Sequence, residues 1–350
     1  MSFQVSIQPS QHTFQTDAGE TILEAALRQG LTLPYGCRDG ACGACRGQIV
    51  SGRIDHGKAQ IHALSEADRA VGFALFCCAS AQSDLTIACK EVRSLKDIPV
   101  KTLPARVQKL TLAAPDVMIV ELKLPASERL QFLAGQYIDI LLKDGKRRAF
   151  SLANAPHDDA CLQLHIRHVA EGQFTGQVFS TLKERDILRF NGPHGSFFLR
   201  EDSKKPMLLI AGGTGFAPIK AIVEHAIAEK FERPIHLYWG GRQRADLYLL
   251  QHAEQWSAAH SHIHVVPVLS ESAPAEAWTG RTGLVHEAAM QDFADLSGYQ
   301  VYVCGAPGMV AAAKRDFIGQ CKLPADEFFA DAFDFASDTQ NQPNQPNQPD

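Results

Sequence analysis

Residues 36–47 read GCRDGACGACRG. Three cysteines fall within nine residues, and four glycines are threaded among them. A buried structural thiol needs no such glycines, and a disulfide framework needs no such spacing. The stretch reads as backbone wrapped round something. Cys37, Cys42 and Cys45 stand in C-x4-C-x2-C order. With a distant fourth cysteine, that is the plant-type 2Fe–2S spacing. Two ferric ions and two sulfides need four thiolates, and the sulfides need hydrogen-bond donors. Gly36, Gly40, Gly43 and Gly47 let backbone N–H groups approach without side-chain collision. A structural zinc site would show two close cysteine or histidine pairs, and here there is one CxxC. The fourth ligand falls to Cys77 or Cys78. Cys78, Cys89, Cys161 and Cys321 read as ordinary small thiols.

At 350 residues the chain is longer than one ordinary domain. A net charge of −5 gives no reason to expect a nucleic-acid partner. No apolar run approaches the roughly 18 residues of a membrane span, and the start MSFQVSIQPS lacks the pattern of a secretory signal. The nine cysteines are odd in number and mostly scattered, which points to a reducing compartment, the cytoplasm. The closing NQPNQPNQPD is low in complexity and cannot build a core, so a disordered tail is expected.

Before the cysteine loop, FQVSIQPSQHTFQT alternates like a β-hairpin. DAGETILEAALRQG reads as a helix with Ile22, Leu23, Ala26 and Leu27 on one face and Gly30 at its end. From about residue 104 to 200, short β-like runs such as AGQYIDILL and CLQLHIRHV suggest an antiparallel barrel. The last third opens on a buried strand, Met207–Ala211, then a turn of Gly212, Gly213, Thr214 and Gly215. Pro218 sits in the first turn of the following helix. Such a turn suits a pyrophosphate, although any tight strand–helix connection needs glycines too. IHLYWG, HVVPVLS and VYVCGAPGMV supply three more strands with helical text between, the signature of a doubly wound parallel sheet.

RAFS, from Arg148 to Ser151, resembles the R-x-Y/F-S motif of the ferredoxin–NADP⁺ reductase superfamily. GQFT, from Gly172 to Thr175, resembles that family's G-x-x-S/T segment, and CGAPGM from Cys304 resembles its nicotinamide-side CGxPxM segment. The resemblance implies that Arg148 pairs with a flavin pyrophosphate and that Phe150 lies against the isoalloxazine or ribityl region. It implies Ser151 near flavin N5, Gly172 and Thr175 on phosphate oxygens, and Cys304 and Gly305 beside the nicotinamide. Where Phe150 stands the family more often has Tyr, so a hydroxyl is absent. The segment FFADAF, Phe328–Phe333, is expected over the flavin, with Phe333 in contact. Within this family Cys77 becomes the fourth cluster ligand, from its position ahead of Ser83 and Asp84.

The order of motifs resembles NAD(P)H-dependent reductases with an N-terminal plant-type ferredoxin, including the reductase components of oxygenases. Phrases such as LAGQYIDI, SLANAP, AGGTGFAPIKAIVE and WTGRTGLVHEAA are most similar to reductases of the CDP-6-deoxy-Δ3,4-glucoseen type in deoxysugar synthesis. The implied fold is multidomain α+β and α/β. Residues 1–92 form a β-grasp-like ferredoxin domain and 93–103 a linker. Residues 104–202 form an antiparallel flavin barrel, 203–335 the nicotinamide domain and 336–350 the tail. The implied cofactors are FAD, a 2Fe–2S cluster and NADH or NADPH. The implied partner is a protein acceptor, a dehydratase or an oxygenase component, with a flavin/iron–sulfur redox sensor as the other class of function. Arg242 and Arg244 could grip a 2′-phosphate, but Asp246 dilutes the field, and NADH is favoured. Residues 1–90 carry seven Lys/Arg against eight Asp/Glu, so docking should not depend on a long-range field. Arg38 and Arg46 make the cysteine loop locally basic, which suits a mixed or mildly acidic partner face.

Overall fold

The computed structural model describes residues 2–31, 33–41, 43–89 and 98–333. Cys42, residues 93–97 of the expected linker and the expected tail lie outside the described residues.

The first sheet contains β1 (Phe3–Gln8), β2 (Thr13–Thr16), β3 (Arg46–Ser51), β5 (Phe73–Leu75) and β7 (Leu85–Ala88). Its order is β2-β1-β7-β3-β5, and only the β1–β7 pair is parallel. A two-stranded ribbon joins β4 (Ile54–Asp55) to β6 (Ser80–Ala81). The period of two in β1 sends Val5 and Ile7 inward. They pack with Ile22 and Leu23 of α1 (Ile22–Arg28) and with Phe76. Thr21 and Glu24 form a capping box that starts this helix. A short α2 (Glu66–Ala70) lies on the surface.

The second sheet has six strands, all pairs antiparallel: β8 (Lys101–Ala114), β9 (Val117–Lys123), β10 (Tyr137–Leu141), β11 (Arg147–Ser151), β12 (Leu162–Arg167) and β13 (Ile187–His194). Its order is β11-β10-β13-β8-β9-β12, and a bridge from Leu152 to Leu164 brings the two edges together as a barrel. One expectation is corrected here. Lys101 to Leu103, expected in the linker, already pair with β13. Thr175 lies in the first turn of α3 (Gln173–Ser180), which Gly172 caps.

The third sheet is parallel throughout, in the order β17-β16-β15-β14-β18-β19. Its strands are β14 (Met207–Gly212), β15 (Ile235–Gly241), β16 (Ile263–Leu269), β17 (Arg281–Thr282), β18 (Gln300–Gly305) and β19 (Phe328–Ala332). Along β14 the side chains alternate between two cores. Met207, Leu209 and Ala211 pack with α4 (Phe216–Ala228) and α5 (Leu250–Ala259). Leu208 and Ile210 pack on the other face with α6 (Val285–Asp292) and α7 (Pro307–Gly319). This is a doubly wound sheet, and its strand order reverses direction between β14 and β18. In such sheets ligands sit at the carboxyl ends of the strands flanking that reversal.

Within the FFADAF segment, Phe328–Ala332 form the edge strand β19, and Phe333 follows it to the cavity wall. Phe328 packs into the sheet's core and Phe329 lies 4.9 Å from Tyr302.

Candidate functional site

A cavity of about 900 Å³ opens where the barrel meets the carboxyl end of the parallel sheet. Ala149, Phe150 and Ser151 of β11 line one side, and Gly212, Gly213, Thr214 and Gly305 line the other. Thr175 and Phe333 also reach its wall.

The glycine turn is shaped by packing as much as by any ligand. A Cβ on Gly215 would stand 2.1 Å from the Cys304 carbonyl oxygen, and one on Gly212 would stand 2.7 Å from Met309 Sδ. Among the four residues 212–215 only Gly213 has a left-handed backbone, at φ +53°. Gly215 is buried against Cys304, behind the residues that line the cavity. Trp239, fully buried on β15, donates its indole N–H to the Gly213 carbonyl at 3.0 Å. Its ring stacks on Phe216 at 3.7 Å. Pro218 is the third residue of α4, buried and off the wall.

Three strands bring Ser151, Cys304 and Asp331 together. The Ser151 hydroxyl donates to Asp331 Oδ2 at 3.5 Å, and Asp331 pairs in register with Cys304. Burial, then the nearby Cys37 sulfur, pushes the Asp331 carboxyl up to about 7. Burial and Asp331 push the Cys304 thiol well above its ordinary range. Cys304 is fully buried, and its neighbour Gly305 rather than Cys304 lines the cavity. Asp331 is the functional candidate that sequence reading missed. Its signal was an acid inside the apolar strand FFADA.

Arg148 is half-buried and off the wall, with one guanidinium nitrogen donating to the Arg147 carbonyl at 2.8 Å. Phe150 lies against Phe174, ring to ring at 5.5 Å. The Thr175 hydroxyl accepts from the Val169 N–H at 3.1 Å and so closes the loop into α3. Gly172 has no room for a side chain, since its Cβ would meet that hydroxyl at 2.5 Å. His165, on the wall, bonds Tyr248 at 2.8 Å and Gln163 at 3.1 Å, and burial drives it down to about 3. Arg242 lines the cavity, whereas Arg244 is exposed and off the wall. Asp246 does not merely dilute their charge. It accepts from the Arg242 and Gln243 N–H groups at 2.8 and 3.1 Å and from Arg167 at 2.9 Å, and so folds the turn.

The Asp39 N–H donates to Cys37 Sγ at 3.3 Å, and Arg38, Gly40 and Gly43 all adopt left-handed backbone. Cys45 and Cys77 are buried. Contact with Cys45 is the first cause that pushes the Cys77 thiol up, with the charge of Cys37 adding to it. Among the described residues no three cysteine, histidine or carboxylate side chains form a group that could hold a metal ion, but Cys37, Cys45 and Cys77 have the soft sulfur chemistry an iron–sulfur cluster takes. Cys78 Sγ lies 3.6 Å from Cys77 Sγ and would be 2.7 Å from a Cβ on Gly40. Gly47 answers to packing, since its Cβ would stand 2.3 Å from the Phe76 ring. Arg38 pairs with Asp139, and Arg46 pairs with Asp68 at 2.5 Å. The basic character expected of the loop is therefore spent inside the molecule.

Three family models match successive parts of the chain. They are a 2Fe-2S iron-sulfur cluster binding domain at residues 5–82, an oxidoreductase FAD-binding domain at 104–199 and an oxidoreductase NAD-binding domain at 209–315. The CDP-6-deoxy-L-threo-D-glycero-4-hexulose-3-dehydrase reductase of Yersinia pseudotuberculosis is 41% identical over 333 residues, covering 95% of this chain and 99% of that one. This chain belongs to the NAD(P)H-dependent flavin and iron–sulfur reductases.

The reductase uses FAD, a 2Fe–2S cluster and a nicotinamide nucleotide, and its work is electron transfer. Terephthalate 1,2-dioxygenase reductase component 1 of a Comamonas species is 36% identical, over 95% of this chain and 98% of its own. The crystal structure of the Amycolatopsis cytochrome P450 reductase GcoB superposes with a TM-score of 0.76 at 35% identity, covering 95% and 98% of the two chains. Among the described residues of the reductase, no helix is long and apolar enough to cross a membrane.

Proposed function

We propose that the reductase draws electrons from NADH and delivers them to a separate sugar-nucleotide dehydratase of the CDP-6-deoxy-hexulose type. The observation that supports this most is the 41% identity to the Yersinia reductase, sustained over nearly all of both chains. An oxygenase component is the second reading, supported by the 36% identity to the terephthalate dioxygenase reductase. The test is to offer the purified reductase each kind of acceptor and follow NADH oxidation. Turnover with an oxygenase but none with the dehydratase would reject the first reading. A tenfold or greater kcat/KM preference for NADPH would reject NADH as the donor. A flavin/iron–sulfur sensor would turn over with neither. No disulfide joins the eight cysteines among the described residues, which suits the cytoplasm, and that location belongs to the same proposal.

FAD, when bound, supplies the exchange between a two-electron hydride donor and a one-electron acceptor. The residues that hold it are Arg148 and the Gly172–Thr175 turn for phosphate, Phe150 for the ring system and Ser151 at the ring's edge. Phe333 stands on the same wall, its N–H tied to the Gly305 carbonyl at 2.8 Å. The Asp331 carboxyl, pushed up to about 7 by burial, accepts a hydrogen bond from the Ser151 hydroxyl at Oδ2. Gly305, with Cys304 buried behind it, forms the wall on the nicotinamide side of the cavity. Cys37, Cys42, Cys45 and Cys77 hold the cluster, with Cys78 as packing.

A further inference from the structure

Five contacts join the cysteine loop to the barrel, and they bracket one thiol. Ahead of Cys37, the Tyr35 N–H donates to Ser196 Oγ at 2.8 Å. The Ser196 hydroxyl and N–H return to the Tyr35 carbonyl at 2.9 and 3.0 Å. The Tyr137 hydroxyl donates to the Gly36 carbonyl at 2.7 Å. Beyond Cys37, the Arg38 guanidinium pairs with Asp139. Tyr35, Tyr137, Asp139 and Ser196 are all buried, so these bonds are shielded from water. The Asp139 carboxylate has further neighbours in Arg147 at 3.8 Å and the neutral ring of His194 at 3.7 Å.

Tyr137 and Asp139 lie on β10, whose partner strand is β11. In that register Tyr137 faces Ser151 and Asp139 faces Ala149, and both partners line the cavity. One rung of backbone pairing therefore separates the residues that grip Cys37 from those on the flavin side. Cys45 and Cys77 lie instead within the ferredoxin core. The geometry points to Arg38 and Asp139 as a positioning pair that seats the Cys37 side of the cluster against the flavin site and so sets the rate of the flavin-to-cluster step. Neither residue lies on the cavity wall, so the pair acts through the docking of one domain on another. Arg38 suits this use, because its left-handed φ of +63° turns the loop and its side chain then reaches across. A bidentate-capable guanidinium orients a carboxylate better than an ammonium would.

This inference rests on the electron relay proposed above, and the experiment separates the two. Asp139→Asn keeps the shape of the side chain and removes its charge. Arg38→Gly removes the guanidinium where glycine suits the backbone. Holoenzyme of each variant is checked for flavin and cluster content, then mixed with NADH in a stopped-flow instrument. Flavin bleaching and cluster bleaching are followed separately. Hydrogen exchange at the Tyr35 and Ser196 amides is measured on the same samples. Flavin reduction should stay within about twofold of wild type, while cluster reduction slows by about tenfold or more, because small misplacements cost rate steeply. Exchange at the two amides should rise by about tenfold, and Arg38→Lys should recover part of both effects. Asp139→Asn lies outside the cysteine loop and carries the test if Arg38→Gly loses its cluster. Unchanged cluster reduction overturns the inference whatever the exchange shows. So does a flavin step that slows in the same proportion. A wild-type enzyme whose flavin is reduced while its cluster stays oxidised would sink the relay itself.

Discussion

Where the parallel sheet meets its own glycine turn, backbone lies on backbone, and a Cβ on Gly215 would stand 2.1 Å from the Cys304 carbonyl oxygen. Where the ferredoxin sheet meets the barrel, the contacts are polar and reach outward, from Tyr35, Gly36 and Arg38 to Ser196, Tyr137 and Asp139. The first junction is defined by what cannot be there. The second is defined by which partners are there. Steric exclusion is insensitive to pH and salt, whereas a polar seat is tunable by single charges.

The sharpest break in this comparison is at the thiols. Cys77→Ser should abolish the visible cluster spectrum, and Cys78→Ser should leave it. Purified protein with the opposite pattern would reverse the ligand assignment. Next in size is the glycine turn. Gly215→Ala should destabilise the fold by about 1–3 kcal/mol or more through overpacking. Gly319→Ala, with nothing within 4 Å of its Cβ, should be neutral or slightly stabilising. Chemical denaturation curves that fail to separate the two would mean the turn relaxes freely.

The barrel also carries two buried neutral histidines, His165 beside the cavity and His194 beside Asp139. Burial is the first cause in both, with Lys220 adding for His165 and Arg38 for His194, and each is held down to about 3. A folded value below the unfolded one means that the unfolded chain binds the extra proton. Stability is therefore present above about pH 6.5 and is lost as pH falls from there towards 3. At pH 5 each histidine should account for about 2 kcal/mol of that loss. His165→Gln and His194→Gln should each flatten the pH profile over this window. A profile parallel to wild type would show that the histidine is already charged in the folded protein. The smallest expected effect concerns the acceptor. With Arg38 and Arg46 engaged internally, its reduction rate should change by no more than about twofold between low and physiological salt. A steep loss would reveal a charged docking patch elsewhere.

Local rules made much of this legible. The helix at α1, the hairpin of β1 and β2 and the strand–turn–helix at β14 follow from periodicity and capping, which act over a few residues. The roles of individual glycines were less legible. Gly40 and Gly43 do take left-handed backbone, but Gly47 and Gly215 are dictated by Phe76 and Cys304, which the chain brings in from elsewhere. FFADAF was expected over the flavin by resemblance alone, and its pairing with β18 as a strand could not be read from it. A short apolar run does not reveal its partner strand.

By itself the sequence determined the cysteine spacing, the order of three folding units and the chemistry each unit can hold, because these depend on residue type and near-neighbour geometry. Tertiary structure alone decided which side chains meet. Arg38 finds Asp139 across 101 residues, and Ser151 finds Asp331 across 180. Those pairings depend on how the three sheets dock. The docking arises from burial and close packing summed over whole surfaces, which no short motif encodes.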